Sequence, residues 1–141
     1  MDIAALRGTA GAMNTRDKIV TVAMLAERLK HSAKPDEKIV LAAGSFDLLS
    51  QEMVEQLQAA RKDNVVLVVA VKPDCAPDCL LPAEARAQLV AGLASVDFVI
   101  VGKSAEVQAA LQPPLKLETT IEVKSDLAPR LLARYGGHAR A

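Results

Sequence analysis

Gly44, Ser45, Phe46 and Asp47 stand between the apolar run Ile39–Ala43 and a helical pattern that starts near Gln51. A strand that turns at a glycine into a helix is the geometry of a phosphate-binding turn. The glycine lets a backbone N–H approach an anion, and the helix offers its positive end. Lys72 and Asp74 follow the next apolar run, and Arg86 falls in the first turns of the helix after it. Lys72 and Arg86 could flank an anion; Asp47 and Asp74 could accept hydroxyls or hold a cation. Each residue also has a purely structural reading. Gly44 could be a tight turn only, Phe46 core, Asp47 a cap for backbone amides, and Lys72 and Arg86 solvated charges. Spacing alone leaves these alternatives open.

The elements that must position these residues follow from periodicity. Thr15–Lys30 carries Ile19, Val22, Leu25, Ala26 and Leu29 at helical spacing, with Thr15 as a plausible N-cap and Asp17 in the first turn. "KIVLAAG" reads as a buried strand, and Gln51–Lys62 as a helix with Met53, Val54, Leu57 and Ala60 on one side. "NVVLVVAV" is the strongest strand signal; its unbroken apolar run implies a parallel strand covered on both faces. Pro82 suits the first turn of the next helix. "VDFVIVG" is a third strand, followed by Ser104 as the cap of a helix that Pro113 and Pro114 stop. "LKLETTIEV" alternates like a half-buried or edge strand, and "SDLAPRLLARYGG" closes as a helix capped by Ser125. Alternation of strands and helices predicts an α/β fold: a Rossmann-like, doubly wound parallel sheet of four to five strands with helices on both faces. Residues 1–14 read as a flexible tail and 15–141 as a single domain.

Composition narrows the function. The chain has 141 residues, of which 51% are hydrophobic, 24% charged and 2% aromatic, namely Phe46, Phe98 and Tyr135. So few aromatics disfavour stacking of single-stranded bases. Lys+Arg and Asp+Glu number 17 each, a net charge of +0, so nothing in the balance points to DNA or RNA. The longest apolar stretches fall far short of the roughly 20 residues of a transmembrane helix. The first residues lack the apolar core of a signal peptide. No membrane partner and a cytoplasmic location are therefore expected. Cys75 and Cys79 form a lone C-x3-C; zinc would need two more ligands, and His31 and His138 are distant in sequence, so no metal site is expected.

"GSFDLLSQEMVEQLQAAR" resembles the first motif of the cytidylyltransferase-like nucleotidyltransferases, G-x-F-D-x-x-H-x-G-H followed by a helix ending in Ala-Arg. Within that family the similarity is to the nucleotidyltransferase domain of ADP-heptose synthase and to glycerol-3-phosphate cytidylyltransferase. "RDKIVTVAMLAERL" looks like the lead-in helix of the heptose enzymes, "VVLVVAVKPD" like the strand that ends in Val-Asn-Ser-Asp, and "LPAEARAQLVAGLASVDFVIVG" like the Pro-x-Glu-x-Arg helix with its following strand. The resemblance runs from Arg16 to Gly102. It implies a nucleotide site at Gly44, Ser45, Phe46, Asp47, Lys72 and Arg86, with CTP or ATP as ligand, Mg²⁺ entering only with the nucleotide, and a homodimer, for which the apolar lead-in helix is the candidate interface.

The same resemblance implies lost catalysis. The two histidines that bind the triphosphate are here Ser50 and Met53, and the glycine between them is Glu52. Positioning and charge stabilisation make up nearly all of phosphoryl-transfer catalysis, and one lost preorganised donor typically costs about 10²–10³ in rate. Met53 cannot donate a hydrogen bond, and Glu52 would occupy or repel a phosphate. "CAPDCLL" is shorter than the family's basic loop, and the late Ser/Thr-rich motif is not recognisable. The expectation is a degenerate, catalytically inactive domain acting as a nucleotide- or partner-binding subunit, with no catalytic residue. An active enzyme joining a nucleotide to a sugar or polyol phosphate through Lys72 and Arg86, and a pure protein-interaction module, are the alternatives.

Overall fold

A computed structural model describes residues 14–32, 37–73, 80–111, 117–123 and 133–134. After a 3₁₀ turn at Thr15–Lys18 come α1 (Val22–Ser32), β1 (Lys38–Gly44), α2 (Gln51–Ala60), β2 (Val65–Val71), α3 (Ala83–Ala91), β3 (Phe98–Val101), α4 (Ser104–Leu111) and β4 (Leu117–Glu122). The four strands form one parallel sheet in the order β3-β2-β1-β4. This is the expected α/β, Rossmann-like sheet, with Ile39–Ala43 and Val65–Val71 as its two inner strands. "LKLETTIEV" supplies the edge strand beside β1.

Strand alternation builds the two cores. Val40 and Ala42 of β1 and Val65, Leu67, Val69 and Val71 of β2 pack against Met53 and Leu57 of α2 and Ala87, Val90 and Ala91 of α3. Ile39, Leu41 and Ala43, with Val66, Val68 and Ala70, face Leu25 and Leu29 of α1 and Val107 and Leu111 of α4. Every residue of β2 is buried, which its unbroken apolar run requires. Each fully buried leucine or valine contributes about 1.5–3 kcal/mol over its exposed state. With Phe46 and Phe98 as the aromatic residues of the described core, stability depends largely on many such small contributions.

The lead-in segment departs from expectation. It is not one helix from Thr15. Asn14, not Thr15, caps the 3₁₀ turn, its side chain accepting from the Arg16 amide. Ile19 then makes a parallel bridge to Val99, and the Val20 amide donates to the Val99 carbonyl at 2.9 Å. The open edge of β3 takes this β-branched pair out of the helical pattern. The helix restarts after Thr21, whose hydroxyl accepts from the Met24 amide at 3.2 Å. Smaller differences lie at helix ends. Pro82 is the N-cap of α3, not its first residue, and α2 stops at Ala60, with Arg61 as its C-cap. The tail through Met13, Asp74, Cys75, Cys79, the two prolines after α4 and all but two residues of the expected last helix lie outside the described residues.

Candidate functional site at the carboxyl ends of the strands

β1 ends at Gly44, a position where no side chain fits. A Cβ on Gly44 would stand 2.6 Å from the Val123 carbonyl oxygen and 3.2 Å from the Phe46 ring. The backbone then passes through two left-handed residues, Phe46 at φ 53 and Leu48 at φ 55. Bulky residues rarely adopt that conformation, which costs of order 1–3 kcal/mol each. Burial of the Phe46 ring at 0% exposure offsets part of that cost. The turn delivers Ser50 as the N-cap of α2, its hydroxyl accepting from the Met53 amide at 3.3 Å.

Two buried charged residues hold this turn from behind. Asp47 is 3% exposed; its carboxylate accepts from the Leu80 amide at 2.6 Å and the Leu81 amide at 3.0 Å. Arg86 is 1% exposed. Its guanidinium donates to the carbonyls of Ser45 and Lys72 at 2.7 Å each, to Leu81 at 3.0 Å and to Pro73 at 3.4 Å. Arg86 thus binds the β1 and β2 exits together, and the rigid fork of an arginine suits this set of diverging acceptors.

In front of the turn lies a cleft of about 670 Å³, lined by the carboxyl ends of all four strands and by Met53. Backbone bonds set the order of its rim. Gly102 donates to the Val71 carbonyl, Lys72 to Gly44, and Val123 to Ala43, at 2.9, 2.9 and 2.8 Å. The rim therefore runs from Lys103 through Lys72 and Gly44 to Glu122. The chain passes from β1 to β2 to β3 on one side and then crosses to β4 on the other, so β1 and β4 flank the topological switch point where ligands bind in such sheets. Ala43, Ala70, Gly44 and Gly102 leave room where larger side chains would fill the space.

Of the residues singled out from the sequence, Gly44, Ser45 and Lys72 line this cleft, while Phe46, Asp47 and Arg86 are buried behind it. Met53, in the place of a family histidine, also lines it, and Glu52 is exposed. The structure adds Gly102, Lys103, Ser104, Thr120 and Glu122. The glycine after the third strand and the expected helix start at Ser104 were the sequence signals for the first three; Ser104 is the first residue of α4, not its cap. Thr120 and Glu122 needed the strand order. Glu122 alone among the described lining residues brings a carboxylate.

No family model matches the chain. It is 30% identical over 135 residues to "Bifunctional protein HldE" of Cronobacter sakazakii (strain ATCC BAA-894), covering 91% of this chain and 26% of that protein. It is 39% identical over 89 residues to the protein of the same name from Haemophilus ducreyi (strain 35000HP / ATCC 700724), covering 58% of this chain and 19% of that one. The chain spans about a quarter of the length of the first of these relatives. Among solved structures, it is similar to the lipopolysaccharide core biosynthesis protein from Thermoplasma volcanium GSS1, with a TM-score of 0.42 and 20% identity, covering 62% of this chain and 97% of that one. The four-stranded parallel sheet, the Gly44 turn and relatives that match along most of the chain support its resemblance to the cytidylyltransferase-like family.

Proposed function

We propose that this chain is a non-catalytic cytidylyltransferase-like domain that binds a nucleotide of the cytidine or adenosine series in the cleft at the carboxyl ends of its strands. The observation that carries the reading is Met53. Met53 lines the cleft at the start of α2, in a place where the family resemblance calls for a histidine, and its side chain packs into the core. A thioether offers a developing phosphoryl charge no donor. The Ser50 hydroxyl, in the other histidine position, accepts from the α2 backbone. The cleft presents Lys72 and Lys103 but lacks those two histidine donors.

A thermal-shift series with CTP, ATP and their mono- and diphosphates tests this. A ligand that binds the folded chain stabilises it by RT ln(1 + [L]/Kd), about 2.7 kcal/mol at a hundredfold excess over Kd. A rise with a nucleotide supports the reading. No rise with any of them supports a domain that only binds protein. The reading includes a homodimer. Met24 and Val101, 44% and 41% exposed, border an apolar groove of about 360 Å³ beside the lead-in segment, which favours that face for the contact. Sedimentation showing a monomer at high concentration would remove the dimer from the reading.

A further inference from the structure

Strand register sets one row across the floor of the cleft. Glu122 of β4 lies opposite Ala43 of β1, and Ala43 lies opposite Ala70 of β2. Both alanines face the core shared with α1 and α4, so Glu122 stands on that side of the sheet as well. Neighbouring strands are about 4.8 Å apart, so the two alanines make a small, apolar floor with Glu122 at its β4 border. All three line the cleft. Thr120 is two residues earlier on β4, opposite Leu41, and shares the same side. It also lines the cleft. Its hydroxyl oxygen accepts from the side-chain amide of Gln108 on α4, which leaves the hydroxyl proton to be donated elsewhere. A carboxylate only accepts. The β4 border of the cleft therefore sets an acceptor, Glu122, beside a donor, Thr120.

From this arrangement we infer that Glu122 and Thr120 read the edge of a nucleotide base lying over Ala43 and Ala70, and select a base with an exocyclic amino group beside a ring acceptor. This rests on the proposed nucleotide site and names the residues that set its base preference. Cytosine and adenine carry that pattern. The amino group donates to the Glu122 carboxylate, and the neighbouring acceptor takes the Thr120 hydroxyl proton. Uracil and hypoxanthine reverse it, with a carbonyl in place of the amino group and an N–H in place of the ring acceptor. A carbonyl oxygen then faces a carboxylate and an N–H faces a hydroxyl proton, so all four groups are left unpaired in the cleft. Guanine offers two adjacent donors, which suit the carboxylate alone and leave Thr120 without an acceptor.

The test is calorimetric titration of the whole chain with two matched pairs, CTP against UTP and ATP against ITP, and with GTP, repeated on Glu122→Gln and Thr120→Val. Glu122 is exposed and Thr120 half-buried, so both variants should fold, which far-UV circular dichroism and the unfolding midpoint check. A glutamine amide can turn either its oxygen or its nitrogen to the base, so it keeps the shape of Glu122 and loses the preference. The expected result is that, in whichever pair binds, the amino-bearing member binds about tenfold or more tightly than its partner, and that each substitution narrows this ratio to about threefold or less. General damage to the cleft would weaken both members alike and leave the ratio unchanged. If the members of each pair bind within about threefold of each other, if GTP binds more tightly than the other nucleotides, or if the ratio survives either substitution, the inference is overturned while a nucleotide site stands. If none of these nucleotides binds, both fall.

Discussion

Arg86→Met keeps most of the buried stem and removes the guanidinium. Four backbone carbonyls lose their donor, two of them at 2.7 Å. A hydrogen bond to a charged group is worth about 1.5–3 kcal/mol. The three shorter bonds would sum to well above the net effect. Burying the guanidinium costs several kcal/mol, which the variant recovers. Lys72 is exposed, so water can reach its carbonyl in the variant. The net loss worked this way is about 2–4 kcal/mol. For a domain of this size that lowers the unfolding midpoint by about 10 °C. The chain has no tryptophan, so urea and thermal unfolding followed by far-UV circular dichroism is the assay. Arg86→Lys keeps the charge but not the fork, and recovers less than half of the loss. A loss below about 0.5 kcal/mol for Arg86→Met, in the range of an ordinary surface change, would refute the role assigned to Arg86. So would full stability of Arg86→Lys.

Gly44→Ala forces a Cβ to 2.6 Å from the Val123 carbonyl, so β4 must shift; a loss of about 1–3 kcal/mol in urea unfolding is expected, and neutrality would deny the close approach. Asp47→Ala strands the Leu80 and Leu81 amides and should cost about 1–3 kcal/mol, whereas Asp47→Asn, which keeps one acceptor oxygen, should cost less. The triple variant Ser50→His, Glu52→Gly, Met53→His restores the family pattern and should tighten CTP or ATP binding by tenfold or more in calorimetry. If the wild-type chain already binds a triphosphate at micromolar concentration and the variant does no better, Glu52 and the missing histidines are not the obstacle.

The sheet was legible because its signals are local. Val65–Val71 is apolar without interruption, so both its faces had to be covered, and they are. Gly44 marked the turn for the same reason. What stayed hidden depended on distant partners. Arg86 looks like any helix charge in sequence; its burial follows from carbonyls 14 and 41 residues away. Of the two readings of Asp47, the structure shows it bonded to backbone amides. Ile19 fits a helical stripe as well as it fits an edge bridge, and the unpaired side of β3 decided between them. Lys103 joins Lys72 only once β3 is placed beside β2, and Thr120 and Glu122 reach the cleft only because the chain crosses to the far side of β1.

The most direct test of the central claim is a pyrophosphate-release assay. The wild-type chain is incubated with CTP or ATP, Mg²⁺ and a panel of sugar and polyol phosphates. Release no greater than in the protein-free control is predicted, because Met53 and Ser50 leave the start of α2 without the donors that transfer requires. Robust release that disappears in Lys72→Ala would contradict the account and make this chain an active nucleotidyltransferase.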